Sequence, residues 1–331
     1  MHEQNDGTGD PATGSTRRDR TNRAVLLEAF GGPETLVVRE VAETQAGPGQ
    51  IRVRVTAAGL NPMDWVMTSD PETAARFGLS LPCGFGTDFA GVVDQVGAGA
   101  IGYATGDRVF GAALSRSVAD HVVIDAQGDI VAGVAHHTPD DVDDVTAATL
   151  AIAGSTAAAA LAVLDLGPED VLLVGGAGGG VGVFAVQLAA IVGARVIGTG
   201  SPASAEHLRS LGVEPVAYGD GVIDRIRDLD IGPVTAALDL HGTDTVRVAR
   251  DLGVPDQRIC TIAAQLDGVP AANGANAGPA ALENIADLVA AGRLRVPIAA
   301  TFPIEDIREA VELQAARHVR GKVVIDLLRA G

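Results

Sequence analysis

The run Gly175-Gly176-Ala177-Gly178-Gly179-Gly180-Val181-Gly182 constrains this chain more than any other segment. It follows the apolar stretch Val171-Leu172-Leu173-Val174 and opens a second one, Val183 to Val192. A buried strand, a glycine turn and a helix, in that order, present backbone N–H groups to a dinucleotide pyrophosphate. The helix start supplies unpaired donors and a partial positive charge, and the glycines let phosphate approach the backbone. Gly176, Ala177, Gly178, Gly179, Gly180, Val181 and Gly182 therefore form the candidate cofactor cradle.

The texture on either side of this turn predicts two domains. Residues 23–148 are β-rich: Ile51-Arg52-Val53-Arg54-Val55 alternates apolar and charged side chains, and turn signals such as Gly47-Pro48-Gly49 recur. Residues 149–294 alternate short apolar strands with helical stretches. The strands are expected at 171–175, 195–199, 213–217, 234–240 and 259–263, an order that implies βαβ units and a parallel sheet covered on both faces. Residues 295–331, with a helical pattern at 306–316 and a strand at 323–327, are too short for a domain and are expected to return to the β domain. Residues 1–22 read as a disordered polar tail.

Composition narrows the function. The chain has 331 residues, 47% of them hydrophobic and 20% charged, which fits a globular protein with a large core. A formal net charge of −18 sets it against phosphate backbones and anionic lipids, so neither nucleic acid nor membrane is an expected partner. Cys83 and Cys260 are too few and too far apart for a disulfide framework or a metal knuckle. Arg17-Arg18 precedes only a short apolar run broken by Glu28, so export is not expected and the cytoplasm is the expected compartment.

Several further motifs lie in a fixed order. They are Phe30-Gly31-Gly32-Pro33-Glu34, Ala58-Gly59-Leu60-Asn61-Pro62-Met63-Asp64-Trp65, Gly86-Thr87-Asp88-Phe89-Ala90-Gly91-Val92-Val93 and Gly106-Asp107-Arg108-Val109-Phe110-Gly111. The glycine turn comes next, then His318-Val319-Arg320-Gly321-Lys322-Val323-Val324. This series resembles the medium-chain dehydrogenase/reductase superfamily, most closely its zinc-independent, zeta-crystallin-like quinone oxidoreductase branch. The resemblance implies an α/β fold class: a discontinuous GroES-like β-barrel domain with an inserted Rossmann-type, doubly wound parallel-sheet domain. It also implies a homodimer that acts on a small electrophilic substrate.

The same resemblance assigns candidate roles. Asn61 stands where zinc-containing relatives have a ligating cysteine, and Gly86-Thr87-Asp88 stands where they have Gly-His-Glu, so no metal is expected. Asn61 would help hold the nicotinamide end, or else is a turn residue before Pro62. Asp64 would join an active-site hydrogen-bond network or only stabilise its turn, and Trp65 would wall the substrate pocket or belong to the core. Some relatives have a tyrosine beside this motif. The Trp65 indole is not an acid, so the reaction's proton is expected from solvent. Thr156 would lie near the nicotinamide ribose, or else is an ordinary threonine near a helix start.

Leu240 and His241, after the fourth strand, and Ile262 and Ala263, after the fifth, are expected to flank the cofactor, because carboxyl ends of parallel strands line its crevice. The second strand ends Thr199-Gly200-Ser201 with no acid to bind a ribose 2′-hydroxyl, which favours NADP(H) over NAD(H). Ser201 and Tyr218 match family positions that contact the 2′-phosphate, but Ala203 replaces a lysine often found there. Arg209, Arg320 or Lys322 would supply that charge, or the last two are plain surface charges. The leading expectation is an NADPH-dependent, zinc-independent reductase of quinones or other α,β-unsaturated carbonyls. An alcohol or carbonyl dehydrogenase of the same fold, and a non-catalytic NADP-binding protein, are the alternatives.

Overall fold

The computed structural model describes residues 22–129 and 132–329. The tail expected at 1–22 thus lies outside the described residues apart from Asn22, which begins the first strand. Strands β1 (Asn22–Leu27), β2 (Leu36–Val41) and β3 (Gln50–Leu60) lead to two short helices, α1 (Pro62–Val66) and α2 (Pro71–Arg76). Then come β4 (Cys83–Gly84), β5 (Asp88–Val96), β6 (Arg108–Ala112), β7 (His121–Asp125), β8 (Val134–His137) and the helical turn α3 (Asp144–Ala147). Sheet β2-β1-β4 and a larger sheet centred on β3 and β5 enclose one apolar core that includes Val25, Ile51, Val53, Phe85, Phe89 and Val93. In β3, Ile51, Val53 and Val55 are buried and Arg54 is exposed, but the expected alternation fails at Arg52, which is buried and paired with Glu43 and Asp94.

The second domain starts with the long helix α4 (Ala151–Leu164), followed by β9 (Val171–Gly175), α5 (Gly182–Ile191), β10 (Arg195–Gly200) and α6 (Ala205–Ser210). Next are β11 (Glu214–Ala217), α7 (Val222–Arg227), β12 (Ala236–Asp239), α8 (Asp244–Asp251), β13 (Ile259–Thr261) and α9 (Ala281–Ala290). All five strands are parallel, in the order β11-β10-β9-β12-β13. The chain leaves β9 toward β10 on one side and later returns to β12 on the other. The crevice at the carboxyl ends of β9 and β12 is therefore the topological switch point where such sheets bind ligands. Helix α5 is buried along most of its length (Val183, Phe184, Ala185, Val186 and Ala189 are all at 0% exposure), which is why its sequence is apolar all round.

The chain then returns to the first sheet. Strand β14 (Ile298–Pro303), helix α10 (Ile307–Ala315) and β15 (Lys322–Asp326) follow, with β14 parallel to β15 and β15 antiparallel to β3. The expected return to the β domain is thus present, together with a strand, β14, that the sequence pattern did not suggest. The larger sheet has seven strands in the order β14-β15-β3-β5-β6-β8, with β7 also paired to β3.

Candidate functional site

The glycine turn closes β9 and feeds α5 as expected. A Cβ on Gly182 would lie 2.4 Å from the carbonyl oxygens of both Gly176 and Ala177, so only glycine fits where the turn meets the helix. The N–H groups of Gly180, Val181 and Gly182 have no hydrogen-bond partner among the described residues. These free donors at a helix start are the chemistry a pyrophosphate requires. The residues after β12 pack beside the turn: a Cβ on Gly176 would be 3.4 Å from Leu240 Cβ and 3.5 Å from His241 Cβ. The Asp239 carboxylate fixes that loop by accepting from His241 N and Gly242 N, both at 3.0 Å. Ile262 N donates to Asp239 O at 3.1 Å, which brings the Ile262-Ala263 segment to the same crevice.

Beneath the turn lies a polar cluster that joins both domains. Lys322 Nζ donates to Asn61 Oδ1 at 2.6 Å and to Leu60 O at 3.1 Å, and lies 3.6 Å from Asp88 Oδ2. Asn61 Nδ2 donates to Asp88 Oδ2 at 2.8 Å, and Ile152 N donates to Asp88 Oδ1 at 3.0 Å. Asp88, on the β domain, thereby caps α4 of the other domain, whose own N-terminal residue Leu150 provides no side-chain cap. Asp64 accepts from Asn61 N and from Thr87 Oγ1, both at 2.7 Å. Burial pushes the Asp64 carboxyl up to about 7, raises that of Asp88, and lowers the Lys322 ammonium.

The cluster fixes where several of the expected residues lie. Asn61 is 4% exposed and its amide is held from both ends, so it is more than a turn residue. Asp64 serves both readings at once: it fastens the start of α1 and belongs to the buried network. Lys322 is not a surface charge. It is 2% exposed with its amine turned toward Asn61, so its charge is committed there rather than held out for a phosphate near Ser201. Arg320 is exposed and keeps a free choice of partner. The signal for Lys322 was present in the sequence, as the sole lysine of an acid-rich chain. Asp88 and Thr87 were passed over as members of the network because they were read only as absent zinc ligands.

Other candidates lie apart from the cluster. Trp65 is half-buried: it packs against the β-domain core and donates its indole N–H to Gln314 Oε1 on α10 at 3.2 Å. Thr156 bonds back to Ile152 O at 2.7 Å, and the Gly274 turn packs over its hydroxyl, since a Cβ on Gly274 would meet Thr156 Oγ1 at 2.9 Å. Ser201 and Tyr218 share one edge of the crevice, because Tyr218 N donates to Gly200 O at 3.2 Å. The Tyr218 side chain is 62% exposed there. Among the described residues no group of three or more His, Cys, Asp or Glu side chains is placed to hold a metal ion. No described helix is long and apolar enough to cross a membrane.

Residues 47–157 match the family model of the alcohol dehydrogenase GroES-like domain, and residues 220–325 match that of the zinc-binding dehydrogenases. A quinone oxidoreductase of Pseudomonas aeruginosa is 29% identical, over 92% of this chain and 99% of its own. A 2-haloacrylate reductase from a Burkholderia species is 30% identical, over 91% and 98%. The crystal structure of an Escherichia coli quinone oxidoreductase complexed with NADPH superposes with a TM-score of 0.79 at 23% identity, over 92% and 99%, a likeness of fold. With its crevice, its glycine turn and these relatives, the chain belongs to the medium-chain dehydrogenase/reductase superfamily, as an oxidoreductase of the quinone oxidoreductase branch with a nicotinamide-cofactor domain.

Proposed function

We propose that this protein uses NADPH to reduce a quinone or another α,β-unsaturated carbonyl, without a metal ion, as a cytoplasmic homodimer. The observation that carries the reading is the cluster of Asn61, Asp88 and Lys322 set directly behind the glycine turn. By resemblance, Asn61 and Thr87-Asp88 stand where zinc-dependent relatives have a cysteine and a His-Glu pair, and here they are bound to one another, to Asp64 and to Lys322. The Thr87 hydroxyl is donated to Asp64, and catalytic zinc needs about three Cys, His or carboxylate ligands around an open position.

The free N–H groups of Gly180, Val181 and Gly182 take the pyrophosphate. Ser201, at a strand end that carries no acid (Thr199-Gly200-Ser201), and Tyr218 beside it leave room for a 2′-phosphate. Bound in this crevice, reduced nicotinamide supplies a hydride. Asn61, with its amide fixed by Lys322 and Asp88, holds the nicotinamide end in one orientation, and that fixed geometry is a large part of what such a site contributes to rate. The positive charge at Lys322 Nζ offsets negative charge gathered above it. Water supplies the proton, since the Trp65 indole is not acidic.

A steady-state assay of NADPH and NADH oxidation with 1,2-naphthoquinone and a panel of enones tests the proposal. Turnover that prefers NADPH and survives treatment with a metal chelator is the expected result. No oxidation of either cofactor by any acceptor would refute it.

A further inference from the structure

Two carboxylates share one ammonium beneath the glycine turn. Asp64, Asp88 and Lys322 are 1%, 0% and 2% exposed. Asp88 has Lys322 as its ion-pair partner, whereas Asp64 has only neutral donors, Asn61 N and Thr87 Oγ1. The remaining groups facing the cluster are the Asn61 amide and the Ile152 N–H from α4, both neutral. The charges that act on Asp64 are those of Asp88 and Lys322 alone. A second buried carboxylate with no cation of its own binds a proton more readily than it stays charged, and the two acids titrate as a pair. The upward shift of Asp64 to about 7 agrees with this count of charges.

The cluster is in contact with the cofactor cradle. A Cβ on Gly180 would lie 3.4 Å from Lys322 Cδ, and Gly321 N donates to Gly178 O at 2.9 Å. The lysine stem therefore packs against Gly180, one of the residues whose N–H has no partner among the described residues. A pyrophosphate on those donors brings negative charge close to the cluster. The same charge repels the buried carboxylates and offsets the field that keeps them ionised.

We propose that the Asp64–Asp88–Lys322 cluster takes up a proton when a dinucleotide binds to the glycine turn. The inference rests on the reading of that turn as the NADPH site. One further titratable group lies against the turn: His207 on α6, whose Cδ2 would be 3.3 Å from a Cβ on Gly178. Burial and the charge of Arg320 lower its pKa.

Calorimetric titration of the full-length protein with NADPH, in buffers of different ionisation enthalpy, measures the protons bound. Uptake of about half a proton per site near pH 7 is expected. Affinity should weaken severalfold from about pH 6 to about pH 8. Asp64→Asn should abolish the uptake, and His207→Gln should leave it in place. The infrared difference spectrum of the unmutated protein should gain a protonated-carboxyl band on NADPH binding, a readout that holds if Asp64→Asn fails to fold. Binding with no proton uptake, uptake that survives Asp64→Asn, or uptake lost in His207→Gln each overturns the inference. A failure of NADPH to bind refutes the cofactor reading itself.

Discussion

Asp64 sits in the interior between two neutral donors, and this couples its protonation to folding. Its pKa is about 7 in the folded chain against an ordinary value of 3.8. In the pH range between those values the folded state holds a proton that the unfolded chain has lost. The contribution of Asp64 to stability therefore falls as pH rises through this window: it is fully present below about 4 and is lost above about 7. The span sets an upper bound of about 4 kcal/mol, and the shared titration with Asp88 makes the realised effect smaller. Urea unfolding across that range should show Asp64→Asn gaining stability relative to the parent chain as pH increases. A difference between the two that does not change with pH would show that Asp64 stays ionised. At this scale the sequence was only partly legible. Asn61 and Asp64 stand close together in one motif and were found. Asp88 and Lys322 lie 27 and 261 positions from Asn61, and only the folded sheet brings them to it.

The β9–turn–α5 unit was readable because all its determinants are local: an apolar strand, consecutive glycines and an apolar helix. Helix α10, expected at 306–316 and found at Ile307–Ala315, follows equally from its own pattern. Strand β14 was missed for the converse reason. Ile298–Pro303 includes an exposed residue and four half-buried ones, so its sequence does not alternate cleanly, and its existence depends on pairing with β15. Trp65 was ambiguous because its partner Gln314 lies on α10, far away in sequence. Within the glycine unit, Gly182 is the point at which one added carbon should matter most. Its Cβ would press on two backbone carbonyls that no side-chain rotation can move. Gly182→Ala should therefore open the turn, weaken NADPH binding by more than about tenfold and destabilise the domain by about 1–3 kcal/mol. Fluorescence titration and thermal unfolding measure both effects. Wild-type affinity in Gly182→Ala would mean that the turn can widen and still hold the phosphates.

The whole molecule carries a formal charge of −18, yet its one lysine is buried at the junction of the two domains. On the proposed reading, a dinucleotide is attracted at short range, through the N–H groups of the turn. At longer range the acid-rich surface repels a ligand that is itself an anion. These two fields respond differently to salt. Mobile ions screen the long-range repulsion, whose reach is about 10 Å at 0.1 M ionic strength, and screen the buried contacts much less. Stopped-flow mixing with NADPH should accordingly give an association rate constant that rises about two- to fivefold when ionic strength increases from about 10 to about 150 mM. The dissociation rate constant should change far less. An association rate that instead falls with salt would show that local cations such as Arg320 steer the ligand, and that the net charge of the molecule does not govern its approach.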